Sequence, residues 1–255
     1  MSSAFWQSLR HGLKRHHEAG RLGAVMAGLP PAAYRALLDC WPLWARESQL
    51  PPAGDWTVWL LLGGRGAGKT RAGAEWVKGM ALGLPPFALR PVGRIALVGE
   101  TVADAREVMV EGVSGVLAVH DARQRPDWSP TRRRLEWGNG TIAQLYSAED
   151  PDSLRGPQFA AAWADELAKW RHAEATWDML QFGLRIGARP SGAVPVGQRG
   201  EHAARLDAEG TGPVEPALRG FRHRDRPGDA ASGARMRIRS MKLAGRTPAR
   251  IGCAP

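Results

Sequence analysis

The sequence predicts an α/β fold, and three observations carry that expectation. Leu60-Leu61-Leu62 runs into a glycine-rich turn and then an alanine-rich helical stretch reaching Leu82. Arg94-Ile95-Ala96-Leu97-Val98-Gly99 reads as a buried strand. Phe159-Ala160-Ala161-Ala162-Trp163-Ala164 is a small-residue apolar run that ends in Asp165-Glu166. Apolar strands buried on both faces, with helices between them, make a mainly parallel sheet.

The first of these stretches is the most specific. Gly63-Gly64-Arg65-Gly66-Ala67-Gly68-Lys69-Thr70 fits G-x-x-x-x-G-K-[ST], with strand before and helix after. Gly63, Gly64, Gly66, Ala67 and Gly68 would turn backbone N–H groups inward as an anion cradle. Lys69 would reach β- and γ-phosphates, and the Thr70 hydroxyl would ligate Mg²⁺. The helix starting near Lys69 points the positive end of its dipole at the same place. The third stretch has the form of a Walker B strand. Asp165 would hold Mg²⁺ directly or through water. Glu166 would orient or deprotonate an attacking water. A kinase has no need of that second carboxylate, whereas an ATP-hydrolysing motor does.

Composition bounds the rest. The chain has 255 residues and a net charge of +10, which favours a polyanionic partner. The charge is uneven: residues 1–190 carry +4, and residues 191–255 carry +6. All eleven tryptophans lie between Trp6 and Trp177. The longest apolar run, Trp56 to Leu62, is too short for a membrane span, and Met1 to Gly20 lacks a signal-peptide core. Cys40 and Cys253 match no metal or redox spacing and read as inert thiols in a reducing cytoplasm.

In chain order, residues 1–50 read as a helical segment, with Phe5-Trp6, Leu9 and Leu13, then Tyr34, Leu37, Leu38 and Trp41 at helical spacing. The basic cluster Arg10, His11, Lys14, Arg15, His16, His17 reads as a solvated helix face, with contact to nucleic acid the competing reading. Pro51 to Asp55 is a turn. Gln49, just before the first strand, stands where a polar side chain can hydrogen-bond adenine; an exposed loop glutamine is the alternative. Thr101 is an N-cap candidate for a helix running to Leu117, with Gly112 and Gly115 weakening its second half. Arg132 to Leu145 reads as a hairpin around Gly138-Asn139-Gly140. Its three arginines either grip phosphates or keep a strand edge soluble.

Several of these motifs, in this order, resemble the large terminase subunit, the DNA-packaging motor of tailed phages. The resemblance covers residues 30–190 and rests on Gln49 to Trp56, Gly63 to Trp76, Ser153-Leu154-Arg155-Gly156-Pro157-Gln158-Phe159 and Trp163-Ala164-Asp165-Glu166. Forms from prophages and gene transfer agents are the most similar. The resemblance implies a RecA-like (ASCE) P-loop NTPase core and a cytoplasmic ATPase acting in a bacterial host. It implies ATP with Mg²⁺, double-stranded DNA, a portal ring, a small terminase subunit and a homo-oligomeric ring as partners, with no membrane. Arg65 would stabilise charge on the γ-phosphate. Arg155 matches an arginine that acts on a neighbouring subunit's ATP, a role worth several orders of magnitude in rate. Pairing with Asp150 or Asp152 is the competing reading of Arg155. A P-loop helicase, or an inactive remnant that binds nucleotide or DNA without turnover, are the alternative functions.

The pattern of the resemblance stops near Arg189-Pro190. Residues 191–255 are rich in Gly, Ala, Pro and Arg and read as a largely irregular tail without a nuclease domain. An out-of-frame translation accounts for that change; a basic tail that binds DNA by counterion release is the alternative. In the RecA-like sheet the strand after Walker B lies between the Walker A and Walker B strands. The core at 51–190 is therefore expected to be incomplete and poorly stable. Gly192 to Val196 stands where that strand should be, but Pro195 argues against a central strand.

Overall fold

The computed structural model describes residues 3–52, 56–186 and, for their backbone, 193–197. Four helices open the chain: α1 (Ser3–Glu18), α2 (Leu22–Ala27), α3 (Pro31–Leu38) and α4 (Trp41–Trp44). Pro31 and Pro42 sit in the first turns of α3 and α4, where a missing N–H costs nothing. Arg10 does not serve a solvated face. Its guanidinium donates to the carbonyls of Leu43, Pro42 and Ala45 at 2.9, 3.0 and 2.7 Å, clamping α1 to α4. Lys14 does stay in solvent, 3.7 Å from Glu18.

The rest is a seven-stranded sheet in the order β1-β7-β6-β2-β5-β4-β3. The strands are β1 (Leu61–Leu62), β2 (Arg94–Gly99), β3 (Asp127–Ser129), β4 (Arg134–Glu136), β5 (Ile142–Ser147), β6 (Ala161–Asp165) and β7 (Ala193–Gly197). The first five in spatial order are parallel; β4 and β3 extend the sheet antiparallel. Alternation across the pleat divides the core in two. Ile95, Leu97, Ala161 and Trp163 face α5 (Lys69–Leu82). Ala96, Val98, Ala162 and Ala164 face α7 (Ala173–Gly183) and Trp170. Alanine on β6 lets helices approach closely on both sides.

The helix expected from Thr101 to Leu117 is shorter. Thr101 caps it as predicted, its hydroxyl accepting the Asp104 N–H at 3.0 Å. After α6 (Val102–Asp104) the backbone widens into a π-helical turn, Ala105–Val110, and then doubles back. The N–H groups of Val116 and Leu117 donate to Met109 and Val110 carbonyls at 2.7 and 3.1 Å. Gly115 makes that return possible: a Cβ there would lie 2.7 Å from the Val110 carbonyl oxygen.

The hairpin forms in the expected place, with Leu135 opposite Ala143. Its turn also caps α5, because Asn139 and Thr141 both donate to the Ala81 carbonyl, at 2.9 and 3.1 Å. Of the three arginines, Arg134 pairs with Glu136 at 2.5 Å and Arg132 approaches the same carboxylate at 3.9 Å. Arg134 is not on the outermost strand, because β3 lies beyond it, and Arg132 and Arg133 sit in the turn that joins the two strands.

The expectation of a gap in the sheet is corrected. β7 lies between β1 and β6, parallel to both, so neighbouring ladders on each side have a partner. The proline objection fails for a local reason. Pro195 pairs with Ala164 of β6, while pairing to β1 is confined to Val196 and Gly197. The residue without an N–H therefore sits in a ladder on one side only, as it would on an edge. The core thus runs past residue 190. The expected irregular tail falls on residues outside the described ones, apart from β7.

Candidate active site

The C-terminal ends of β1 and β6 lie level on one edge of the sheet. Leu61 and Asp165 both register with Val196 of β7. Two strand spacings put them about 10 Å apart, so the loop after β1 and the carboxylates ending β6 share one crevice.

The loop is shaped by its glycines. Gly66 and Gly68 have φ of +74° and +71°, which L side chains rarely adopt. Gly68 is the residue before α5, and a Cβ there would meet the Gln49 amide at 2.5 Å. The Lys69 ammonium folds back over the loop, donating to Gly63 and Gly64 carbonyls at 2.9 and 3.1 Å. Arg65 is exposed, and Thr70 lies half-buried in the first turn of α5.

The loop is also gripped from the N-terminal segment. Gln49 Nε2 donates to the Gly68 carbonyl at 3.2 Å, and its Oε1 accepts the Arg46 N–H at 3.0 Å. Gln49 is buried, not an exposed loop side chain. Arg46 donates from its guanidinium to the Ala67 carbonyl. Arg46 is the residue that sequence reasoning missed. No local pattern marks it, because its partner is 21 positions away.

Beneath the loop, α5 is buried from Ala72 to Ala81. Gly73 allows this: a Cβ at that position would lie 2.4 Å from the Trp163 ring. The charges that α5 takes inside are paired. Arg71 bonds Glu75 at 2.6 Å, and Lys78 meets Asp39 at 3.3 Å and the Val119 carbonyl at 2.9 Å. Burial still pushes the Glu75 carboxyl up, with Arg71 and Lys78 pulling it back. Behind Lys78, buried His120 is bonded at both nitrogens. The Trp137 indole N–H donates to Nε2 at 3.0 Å, so Nδ1 carries the proton toward the Val116 carbonyl at 2.7 Å. Burial first, aided by the nearby Lys78 charge, lowers the His120 pKa to about 4. Burial also raises the thiol of half-buried Cys40, in keeping with an unreactive cysteine.

The carboxylate side is different. Asp165 is 8% exposed, and its Oδ1 has no hydrogen-bond donor. Burial, then the charge of Glu166, push its carboxyl up to about 7; Lys69 and Lys169 pull the other way. A buried carboxylate with an oxygen that no donor meets is a place for a cation. With the Thr70 hydroxyl and carboxylate oxygen as hard donors, the residues present fit Mg²⁺. Glu166 has φ 47° and ψ 46°, the left-handed region, and its carboxylate meets the Lys169 ammonium. Arg155 is exposed and lies 3.2 Å from Asp152, so within one chain it follows the ion-pair reading. A separate cleft of about 520 Å³ lies off the loop, against Arg106, Trp128 and Arg133. No helix among the described residues is long and apolar enough to cross a membrane.

The family model of the terminase large subunit, T4likevirus-type, N-terminal, matches residues 60–210. The match continues past Arg189-Pro190, where the residue pattern alone breaks off, and it includes β7. No curated protein matches the chain. Two of the solved structures similar to this chain illustrate the likeness. One is the large terminase ATPase domain of Thermus phage P74-26, 20% identical, with a TM-score of 0.43, over 60% of this chain. The other is a large terminase from a thermophilic bacteriophage, in complex with ADP, 15% identical, with a TM-score of 0.42, over 64% of this chain. The chain spans 64% of the first and 37% of the second. The family match covers more than half of the sequence, and the chain belongs to the terminase large-subunit family, with a RecA-like α/β core.

Proposed function

We propose that this member of the terminase large-subunit family is the ATP-hydrolysing motor part that drives double-stranded DNA into a viral or gene-transfer-agent procapsid. One observation carries the reading: across a single strand, the Lys69 loop stands beside buried Asp165, whose Oδ1 no donor meets, followed directly by Glu166. A phosphate-binding loop beside a cation-seeking carboxylate and a second, water-facing one is the equipment of a hydrolase.

In this reading Lys69 exchanges the Gly63 and Gly64 carbonyls for β- and γ-phosphate oxygens. Backbone N–H groups of Gly66 to Thr70 take the remaining phosphate charge. Thr70 and Asp165 hold Mg²⁺, which when bound neutralises charge on the phosphates. Glu166 accepts a proton from the water that attacks the γ-phosphorus. The bond to the bridging oxygen breaks, and ADP keeps the electron pair. Arg65 meets charge on the γ-phosphate, and Arg155, after leaving Asp152, does so on a neighbouring subunit's ATP. Gln49 couples adenine to the loop through the Gly68 carbonyl. Double-stranded DNA, a portal ring and a small terminase subunit are the partners, in a homo-oligomeric ring in the host cytoplasm.

The test is ATP turnover by the purified chain, with and without double-stranded DNA, beside Glu166→Ala. Loss of the general base lowers turnover on the order of 10²–10⁴-fold with nucleotide binding retained. Nucleotide binding without turnover in the wild type would instead make the chain a non-hydrolysing nucleotide binder.

A further inference from the structure

Two residues just downstream, Lys169 and Trp170, bond to the pair Asp165-Glu166. The Trp170 indole N–H donates to the Asp165 carbonyl at 3.0 Å, and the Trp170 ring is fully buried. Leu167 to Lys169 form one 3-10 turn, closed by the Lys169 N–H on the Glu166 carbonyl at 2.8 Å. That tight turn, entered through left-handed Glu166, brings Lys169 back over Glu166, and ammonium and carboxylate meet. Non-glycine residues held at positive φ cluster where a side chain must be aimed.

From this geometry we infer that Lys169 is a positioning residue that orients the Glu166 carboxylate. The inference rests on the hydrolytic reading above. A glutamate has three side-chain torsions and loses much freedom when fixed. A general base must stand within hydrogen-bond reach of the water it deprotonates, and an error near 1 Å can cost about 10²-fold in rate. The ion pair removes that freedom, and the backbone turn supplies the aim. Lys169 also balances negative charge at the edge: Glu166 first, with Glu100 and Asp104 contributing. Asp165 and Glu166 are adjacent like charges, and the Lys169 ammonium keeps the second carboxylate from being driven away.

Steady-state kinetics of Lys169→Ala and Lys169→Arg test this. Lys169→Ala is expected to lower kcat about tenfold, with KM for ATP within about twofold of wild type. Lys169→Arg, which preserves the cation, is expected to recover at least half of the loss. Wild-type kcat in Lys169→Ala overturns the assignment, as does a loss that Lys169→Arg fails to restore. A rise in KM in place of the fall in kcat also overturns it, because it would make Lys169 a substrate contact. A second readout needs no turnover. In a chain with ¹³C-labelled glutamate, the Glu166 Cδ resonance, assigned through Glu166→Gln, should move or broaden in Lys169→Ala. An unchanged resonance overturns the inference. A wild-type chain without turnover overturns the hydrolytic reading alone, and the resonance then decides the Lys169 assignment by itself.

Discussion

The glycine-loop side and the carboxylate side of the crevice are built in contrasting ways. Around the Lys69 loop every described charge that is taken inside has a partner: Glu75 has Arg71, Lys78 has Asp39 and the Val119 carbonyl, and the Lys69 ammonium has two loop carbonyls. The loop itself is held by Gln49 and Arg46. At the end of β6 the opposite holds, since Asp165 is buried with an oxygen that no donor meets. The first region is closed on itself, each inward charge answered by a partner within the chain. The second stores an unmet demand for positive charge. In the hydrolytic reading proposed above, the first half takes an anion and the second a cation.

The strongest way to break the comparison is to separate its two halves. Gly73→Leu drives a side chain into the Trp163 ring, which joins α5 to β6. Overpacking against a fully buried indole is expected to cost about 3 kcal/mol, read as a lowered midpoint in urea unfolding. A variant with wild-type stability would mean that the two halves are not braced against each other.

Acid tests the closed half next. His120 is neutral and buried, with its pKa lowered to about 4 from an ordinary 6.5. Its folded pKa is depressed, so the unfolded chain binds the extra proton first. This contribution to stability is complete above pH 6.5 and is lost as pH falls through about 4. The loss amounts to at most about 3 kcal/mol. Unfolding free energy against pH, compared with His120→Gln, should show a steeper fall for the wild type between these two values. Parallel curves would remove His120 from the account.

The smallest effect sharpens the open half. Thermal unfolding with ADP present should rise on adding Mg²⁺, by about 1.4 kcal/mol when free Mg²⁺ is roughly tenfold above its Kd. Asp165→Asn should lose that increment, because an amide oxygen is a much poorer ligand for a hard cation. An increment that persists in Asp165→Asn would place the cation elsewhere.

Much of this was legible in the residues. The glycine-rich loop between β1 and α5, the buried strand from Arg94, the hairpin around Asn139 and the carboxylate pair at 165–166 all lie where local pattern puts them. Arg10 was not legible as a clamp, because nothing in a basic cluster says which guanidinium will meet carbonyls more than thirty positions away. Gln49 and Arg46 reach the loop by the same kind of long-range contact. Pro195 misled for a physical reason. Its missing N–H is a general objection to central strands, and it applies only where a ladder runs on both sides of the residue.

The sequence by itself determined the chemistry on offer: an ammonium, a hydroxyl, glycines free to take positive φ, and two adjacent carboxylates. These are properties of contiguous residues, so spacing along the chain suffices to read them. Only the tertiary structure decided that β7 stands between β1 and β6, that Gly73 meets Trp163, and that Asp165 keeps an oxygen no donor meets. Those outcomes depend on which distant segments pack together. Burial, and with it the energetic cost of a lone charge, exists only once they have done so.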